Sequence, residues 1–187
     1  MIKYSELIAK ALRISALYHK GQTRKGKKLP YIVHLVEVAM ILQESVSDDY
    51  IVAAGLLHDI LEDTKMSKNK LKKEFDDKIV ELVIAASEKL KNRDEISWQK
   101  RKEHTINYLK EADRDVQILS CADKLSNIKS MARDYKEIGD ELWERFNASY
   151  NKQKWYYCNL VNSLKNLEGN DIYDEFKSIV DELFYCK

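Results

Sequence analysis

The sequence predicts an all-α fold in which several helices form one bundle. Only five glycines and one proline occur in 187 residues, which leaves few residues for the turns of a many-stranded sheet. Leucine, lysine and glutamate favour helices and are abundant, and apolar residues recur at helical spacing in most segments. With 44% hydrophobic and 34% charged residues, a chain of this length can bury one sizeable core. We therefore expect a single domain over residues 1–187.

The charge balance and the cysteines narrow the class of protein. The 32 Lys+Arg residues against 31 Asp+Glu give a formal net charge of +1, which argues against a general nucleic-acid binder. Cys121, Cys158 and Cys186 are odd in number and lack C-x-x-C spacing, and the chain opens into an amphipathic helix rather than a secretory leader. No apolar run approaches the ~18 residues of a membrane span. We expect a cytoplasmic protein without a polymeric nucleic acid or membrane partner, whose oligomeric state the sequence leaves open.

A basic loop follows the first predicted helix, which covers residues 4–20. This basic loop, Gly21 to Pro30, contains two glycines, Arg24, Lys25 and two further lysines. Such a composition can bring backbone N–H groups and positive charge to a phosphate. The same composition is also typical of a solvated basic turn, so the loop by itself leaves both interpretations open.

The second predicted helix, residues 31–44, contains His34 among apolar residues. A single histidine in this setting is more often a satisfied core residue, but a buried metal ion is a reasonable alternative partner beside a basic loop. The segment 47–49, Ser-Asp-Asp, then suits the N-cap of a central helix, because carboxylates in a first turn complement the helix dipole.

Polar residues interrupt the apolar central stretch, residues 53–64, which the periodicity predicts as one continuous helix. His58 and Glu62 are four residues apart, as are Asp59 and Asp63, so two polar rows should lie beside the buried face. An imidazole and a carboxylate can share one divalent cation, and the carboxylates of the next turn can act on water. A lone His-Asp pair is more often a charged helix end, so a metal site requires further ligands.

The second half of the chain adds candidate residues on further predicted helices. Trp98 lies among cations at the start of one helix, where it could stack on a base or anchor a charged surface. Asp123 follows an apolar run, with Asn127 one turn later on the same helix side. Asp123 adds a second carboxylate and so completes a set of four ligands with His34, His58 and Asp59. The remaining helices are predicted over residues 76–90, 138–166 and 171–185.

Five motifs in order span most of the chain. They are Tyr18-His19-x-Gly21-Gln22-x-Arg24-Lys25, Pro30-Tyr31-Ile32-x-His34-x-x-x-Val38-Ala39, Ala53-Ala54-x-Leu56-Leu57-His58-Asp59-x-x-Glu62-Asp63-Thr64, Ala122-Asp123-Lys124-Leu125-x-Asn127 and Leu142-Trp143-x-Arg145-Phe146-Asn147. Together they resemble the HD-domain metal-dependent phosphohydrolase superfamily, and within it the small stand-alone members of the RelA/SpoT-type (p)ppGpp hydrolases. The resemblance implies a helical HD-domain bundle.

The resemblance also implies a role for each site residue. Its metal ligands correspond to His34, His58, Asp59 and Asp123. Glu62 and Asp63 correspond to the pair that positions and deprotonates the attacking water. The substrate contacts correspond to Arg24, Lys25 and Asn127. Because the chain has no room for the synthetase domain of the long members, the resemblance implies hydrolysis of the alarmone without its synthesis.

The expected metal follows from this ligand set, and the expected substrate is the one that the resemblance implies. Two imidazoles and two carboxylates balance the charge of one divalent ion and leave coordination positions open, a set that suits Mn²⁺ best. We expect Mn²⁺-dependent removal of the 3′-pyrophosphate of (p)ppGpp, giving GDP or GTP and pyrophosphate, as in the stringent response. One alternative is an HD phosphohydrolase that acts on another nucleotide or on a phosphorylated dinucleotide such as NADPH. The other is a catalytically silent nucleotide-binding module, against which Glu62 and Asp63 argue because such a module needs no water-activating pair.

Overall fold

The computed structural model describes residues 5–87 and 95–186, and most of them are helical. This part of the chain has no β-strand, and one isolated antiparallel bridge pairs Thr23 with Pro30. The predicted all-α fold is therefore confirmed. None of the described helices combines the length and apolarity that crossing a membrane requires. The chain divides into two compact units, Met1–Lys89 and Leu90–Lys187, and the expectation of one HD-type domain over residues 1–187 stays a prediction.

The first unit is built around a short buried helix. Its helices are α1 (Glu6–Tyr18), α2 (Ile32–Ser45), α3 (Asp49–Leu57), α4 (Ile60–Asp63), α5 (Lys68–Glu74) and α6 (Asp77–Ala86). Helix α3 packs against α1, α2 and α6, and each of its residues from Ile51 to Leu57 is buried. Asp48 caps α3 by accepting a hydrogen bond from the Tyr50 amide at 2.8 Å, within the predicted capping segment. The buried helix thus fixes the position of the polar residues that follow it.

The central stretch is not the continuous helix that the periodicity predicts. Helix α3 ends at Leu57 and α4 begins at Ile60, with Asp59 at φ −93° and ψ −2° between them. The carbonyl oxygen of Gly55, four residues before Asp59, accepts a hydrogen bond from the His58 ring at 2.8 Å. The predicted continuous helix was therefore wrong, and the break lies at the two candidate ligands His58 and Asp59.

Over residues 95–186, the second unit shows four α-helices and two short 3₁₀ segments of three to seven residues. The α-helices are α7 (Trp98–Glu111), α8 (Arg114–Ile138), α9 (Tyr150–Ser163) and α10 (Asp171–Phe184), and the 3₁₀ segments are Gly139–Arg145 and Lys165–Leu167. Helix α8 packs against α10, and α7 packs against α9. The predicted closing helix agrees with α10 to within one residue at its end. The predicted helix over residues 76–90 corresponds to α6, and its last residues lie outside the described part of the chain.

The long helix predicted over residues 138–166 was wrong. Gly139 ends α8 at φ 59° and ψ −140°, a backbone conformation that glycine adopts at low cost and other residues rarely adopt. A 3₁₀ segment follows, and α9 starts only at Tyr150. Trp143 then packs against Tyr150 and Phe184, with ring centres 5.0 and 5.7 Å away. The aromatic residues therefore meet through tertiary packing and do not form one face of a long helix.

A disulfide joins Cys158 of α9 to Cys186, which follows α10. The odd number of cysteines did not predict this bond. Cys121 is buried as a free thiol, and its burial raises the pKa of that thiol far above the usual range. The disulfide therefore pairs the two cysteines that lie closest to the surface.

We expect reduction of this disulfide to lower the free energy of unfolding by about 3–4 kcal/mol. The bond closes a loop whose ends are 28 residues apart, and the loop-entropy relation gives about that value for such a loop. Urea titrations with and without a thiol reductant measure the difference. The Cys158→Ser variant is the control, because it has no bond to lose and should not respond to the reductant. An equal response of both proteins would contradict the expectation.

Candidate metal centre and basic loop

Three predicted metal ligands lie together in the first unit. His34 is on the first turn of α2, and His58 and Asp59 form the break between α3 and α4. One potential ligand atom from each of the three lies within 4.8 Å of the others. Nε2 of His58 is 3.0 Å from Oδ2 of Asp59, and Nε2 of His34 is 3.9 Å from the same oxygen. The two imidazoles are buried, at 2% and 4% exposure. The structure thus brings together residues that are 25 positions apart in the sequence.

The hydrogen bonding of His58 shows that this cluster fits a cation. Its Nδ1 lies 2.8 Å from the carbonyl oxygen of Gly55. A carbonyl oxygen only accepts, so Nδ1 carries a proton, and in the neutral ring Nε2 presents a lone pair to Asp59. Two lone-pair atoms at 3.0 Å in a buried site need a proton or a metal ion between them. A divalent metal ion fits this position, because a carbonyl partner on the far ring nitrogen is the usual arrangement for a histidine ligand.

Tyr31 holds the carboxylate of this cluster. Its hydroxyl donates a hydrogen bond to Oδ2 of Asp59 at 2.6 Å. Its ring meets the ring of His34 edge to face at 5.7 Å, and His34 in turn meets His58 in the same way at 5.3 Å. Sequence reasoning gave Tyr31 no role, although its place three residues before His34 in the second motif was a signal. Tyr31 is therefore a partner of the ligands that the sequence analysis missed.

The basic loop is held against the same tyrosine. Its ends are closed by backbone hydrogen bonds from Tyr31 to Gln22 and from Arg24 to Leu29, each at 2.9 Å. The guanidinium of Arg24 lies 5.7 Å from the centre of the Tyr31 ring, within the range of a cation–π interaction. Lys25 is exposed beside it. Arg24, Tyr31 and Asp59 thus form a continuous contact from the basic loop to the metal cluster, while the substrate roles of Arg24 and Lys25 stay predictions.

The predicted water-activating pair follows the ligands directly. The amides of Glu62 and Asp63 both donate to the carbonyl oxygen of Asp59, at 3.1 and 2.9 Å. Glu62 is half-buried and Asp63 is exposed at the end of α4. The backbone therefore places both carboxylates within one short turn of Asp59. Their action on water stays a prediction.

Two cavities differ in their relation to these residues. One of about 440 Å³ opens in the first unit and is lined by Leu17, Tyr18, Gln22, Asp63, Thr64 and Lys65. A larger one, of about 580 Å³, lies in the second unit among aromatic side chains that include Trp143 and Tyr150, and none of the predicted site residues lines it. We assign more weight to the smaller cavity because a candidate catalytic residue, Asp63, forms part of its wall.

The second unit carries the other two predicted site residues on α8. Asn127 donates through Nδ2 to Oδ1 of Asp123 at 2.6 Å, and Nζ of Lys124 lies 2.5 Å from Oδ2. The predicted common helix side of Asp123 and Asn127 is therefore confirmed. Burial alone would lower the pKa of Lys124, but the Asp123 carboxylate and nearby tyrosines raise this pKa well above its usual value. The roles of Asp123 as fourth ligand and of Asn127 as substrate contact stay predictions.

Trp98 is a packing residue at the start of α7. Ser97 caps this helix, and the Trp98 ring lies 6.4 Å from that of Trp155 and 5.9 Å from that of Tyr156. The side chain is half-buried. These contacts support its interpretation as an anchor beneath a charged surface, and stacking on a base stays a prediction.

Comparison with known proteins agrees with this geometry. A family described as HD domain matches residues 11–149. The chain belongs to the HD-domain family. The expected superfamily is thereby confirmed, and the motif residues from His19 to Asn147 all lie inside the matched range.

Relatives of this HD domain include longer curated enzymes. The guanosine-3′,5′-bis(diphosphate) 3′-pyrophosphohydrolase of Borreliella burgdorferi is 31% identical over an alignment of 187 positions. The alignment covers 94% of this chain and 27% of that protein. The enzyme of the same name from Vibrio cholerae is 36% identical over 115 residues, covering 60% of this chain and 16% of that protein. The chain thus spans about a quarter or less of the length of these relatives.

Solved structures match a larger share of their own chains. A crystal structure of a Listeria monocytogenes EGD-e protein is 31% identical, covers 81% of this chain and 99% of that one, and superposes with a TM-score of 0.74. A metazoan ortholog of SpoT, described as hydrolysing ppGpp, covers 99% of this chain and 97% of its own at 22% identity, with a TM-score of 0.76. At that identity the second comparison shows the fold alone.

Proposed function

We propose that this HD domain is a Mn²⁺-dependent hydrolase that removes the 3′-pyrophosphate of (p)ppGpp in the cytoplasm, giving GDP or GTP and pyrophosphate. The observation that carries the proposal is the contact from the basic loop through Tyr31 to the cluster of His34, His58 and Asp59. A cation-binding cluster next to fixed positive charge suits a substrate rich in phosphate. The names of the curated relatives supply the identity of that substrate.

The proposed ion is held by His34, His58, Asp59 and Asp123. When bound, a divalent ion polarises a phosphoryl oxygen and lowers the pKa of water. Two imidazoles with two carboxylates would neutralise its charge and leave positions open for water, and carboxylate and water ligands suit Mn²⁺. Tyr31 keeps the Asp59 carboxylate oriented by donating to Oδ2.

The side chains of α4 and the basic loop perform the remaining steps. Glu62 or Asp63 takes a proton from a water molecule while the oxygen of that water bonds to the phosphorus attached to the 3′-oxygen. The bond between that phosphorus and the 3′-oxygen breaks, and the leaving oxygen takes a proton from solvent water to become the 3′-hydroxyl. Arg24 and Lys25 neutralise the charge on the departing pyrophosphate.

Product analysis tests the proposal. The chain is incubated with Mn²⁺ and ppGpp, and parallel samples contain NADPH, common nucleoside phosphates, or Mg²⁺ or Zn²⁺ in place of Mn²⁺. We expect equal amounts of GDP and pyrophosphate from ppGpp, identified by ion-exchange chromatography and phosphorus NMR. Faster release of phosphate from NADPH would replace the proposed substrate. Tight binding of ppGpp without turnover would identify a silent nucleotide-binding module.

The basic loop gives a second test. We expect Arg24→Ala with Lys25→Ala to lower kcat/KM for ppGpp by more than roughly tenfold, because a charge-assisted hydrogen bond is typically worth ~1.5–3 kcal/mol. Stability should change by no more than about 1 kcal/mol, since Lys25 is exposed and a partly exposed cation–π contact like that of Arg24 is worth about 0.5–1 kcal/mol. Lys27→Ala with Lys28→Ala removes the same charge from the same loop and serves as the matched control. Equal effects of the two pairs would reduce the role of Arg24 and Lys25 to a general electrostatic one.

A further inference from the structure

His19 is a buried histidine to which sequence reasoning gave no role. It follows α1 directly, precedes the basic loop and is only 3% exposed. Its Nδ1 lies 2.6 Å from Oε1 of Gln22, and Nε2 of Gln22 donates to the carbonyl oxygen of Asp63 at 2.7 Å. These contacts form a chain from the His19 ring to the backbone of a candidate catalytic residue.

The direction of this chain determines which ring nitrogen carries the proton. The carbonyl oxygen of Asp63 only accepts, so the amide nitrogen of Gln22 must point to it and the amide oxygen to His19. That amide oxygen also only accepts, so Nδ1 of His19 donates. Burial lowers the pKa of His19, although the hydrogen bond to Gln22 and the charge of Asp59 oppose this effect. The ring is therefore neutral near pH 7, and its Nε2 is a hydrogen-bond acceptor.

This acceptor has no protein partner within residues 5–87 and 95–186. A buried polar atom without a partner is unfavourable and needs an explanation. The His19 ring stacks on that of Tyr31, with centres 5.3 Å apart and planes 18° apart. Tyr31 in turn donates to the Asp59 carboxylate. The unused lone pair thus belongs to a side chain stacked on the tyrosine that holds a candidate metal ligand.

We propose that His19 is a further catalytic residue, whose Nε2 accepts a hydrogen bond from the water that attacks phosphorus. The inference rests on the proposed function. Gln22 is the positioning residue, because it keeps the proton on Nδ1 and so leaves Nε2 free to accept. The attacking water then has two partners of different kinds: His19 orients one of its O–H groups, while Glu62 or Asp63 takes the other proton as the O–P bond forms.

Two amide variants separate this role from a purely structural one. The amide of asparagine takes the place of Nδ1, so His19→Asn can keep the contact with Gln22 but offers no acceptor where Nε2 was. The longer glutamine reaches the place of Nε2, so His19→Gln restores an acceptor there and loses the contact with Gln22. We expect His19→Asn to lower kcat about a hundredfold or more and His19→Gln to lower it by less than about tenfold. Both variants should keep KM and the dissociation constant of Mn²⁺ within about threefold of the wild type. The opposite order of kcat, or equal losses, would overturn the proposal.

Histidine NMR tests the same inference without turnover. The ¹⁵N-histidine-labelled full chain, loaded with Mg²⁺, should show His19 as a neutral ring protonated at Nδ1 near pH 7. The Gln22→Ala variant should lose the preference for protonation at Nδ1. His104 is exposed, and its two-bond ¹⁵N–¹H couplings serve as the internal reference. A ring protonated at Nε2 would overturn the proposal. Failure of the wild type to hydrolyse ppGpp would instead refute the proposed function and leave this measurement valid.

Discussion

Asp59→Ala should abolish the metal centre. Among residues 5–87, Asp59 contributes the only carboxylate of the cluster, and its Oδ2 faces both imidazoles. Without it, only one carboxylate of the proposed four ligands, that of Asp123, is left to balance the charge of a divalent ion. Loss of an outer-shell partner typically weakens metal binding about 10–100-fold, so loss of a charged ligand should weaken it by more than about a hundredfold. Turnover of ppGpp should fall by at least roughly a thousandfold, because the ion supplies several kcal/mol of transition-state stabilisation.

Calorimetric titration with Mn²⁺ measures this effect directly, and two variants calibrate it. Tyr31→Phe removes only the hydroxyl that donates to Asp59, so we expect a loss of metal affinity of about 10–100-fold. Asp49→Ala removes a carboxylate from the opposite end of α3 and should leave Mn²⁺ binding unchanged. The same titration of Asp123→Ala tests the predicted fourth ligand. If Asp59→Ala still binds one Mn²⁺ per chain with unchanged affinity, the ion binds at another site.

The chemistry of the site was easier to predict than its backbone. His34, His58 and Asp59 could be found because ionisable residues are uncommon in apolar helical segments and need partners there. The break between α3 and α4 could not be found in this way. Leu57 and Ile60 are three residues apart and both buried, so the apolar periodicity continues across the break. At the break the Asp59 backbone lies at φ −93° and ψ −2° and the His58 ring contacts a carbonyl oxygen, and residue spacing encodes neither feature.

The partners of the ligands depend on contacts between distant residues. Tyr31 donates to a carboxylate 28 positions later, and Gln22 donates to a carbonyl oxygen 41 positions later. Hydrophobic periodicity reports which face of a helix is buried, but it does not report which polar groups meet across helices. The motif containing His19 and Gln22 was visible in the sequence. The hydrogen-bonded chain that these two residues form with the Asp63 carbonyl oxygen is visible only in the structure.

The break after α8 had a signal of a different kind. Gly139 lies near the start of the predicted long helix, and glycine commonly ends helices by adopting positive φ. The spacing of Leu142, Trp143 and Phe146 outweighed that signal in the prediction, because it also suits a helical face. In the structure these residues lie in and after a 3₁₀ segment, where Trp143 packs on side chains of α9 and α10. A glycine at a helix boundary deserved more weight than three apolar residues after it.

Glu62→Gln with Asp63→Asn should separate water activation from metal binding. The amides keep the shape of both side chains, and the backbone bonds of α4 to the Asp59 carbonyl do not involve them. The Mn²⁺ dissociation constant should therefore change by less than about threefold. Turnover should fall about 10²–10⁴-fold, the usual range for loss of a general base. Saturating ppGpp and Mn²⁺ isolate kcat, so that weakened binding is not mistaken for lost chemistry.

The single variants identify which carboxylate is the base. If one residue takes the proton and the other orients the water, one variant should reproduce nearly the whole loss and the other only part of it. Glu74→Gln with Asp76→Asn is the matched control, since it removes two carboxylates from the same unit away from the cluster; Glu74 pairs with Lys10 at 3.3 Å on the surface. Undiminished kcat in the Glu62/Asp63 double variant would assign proton transfer to another group. His19 would then be the first candidate, because its neutral ring already presents an acceptor beside the metal cluster.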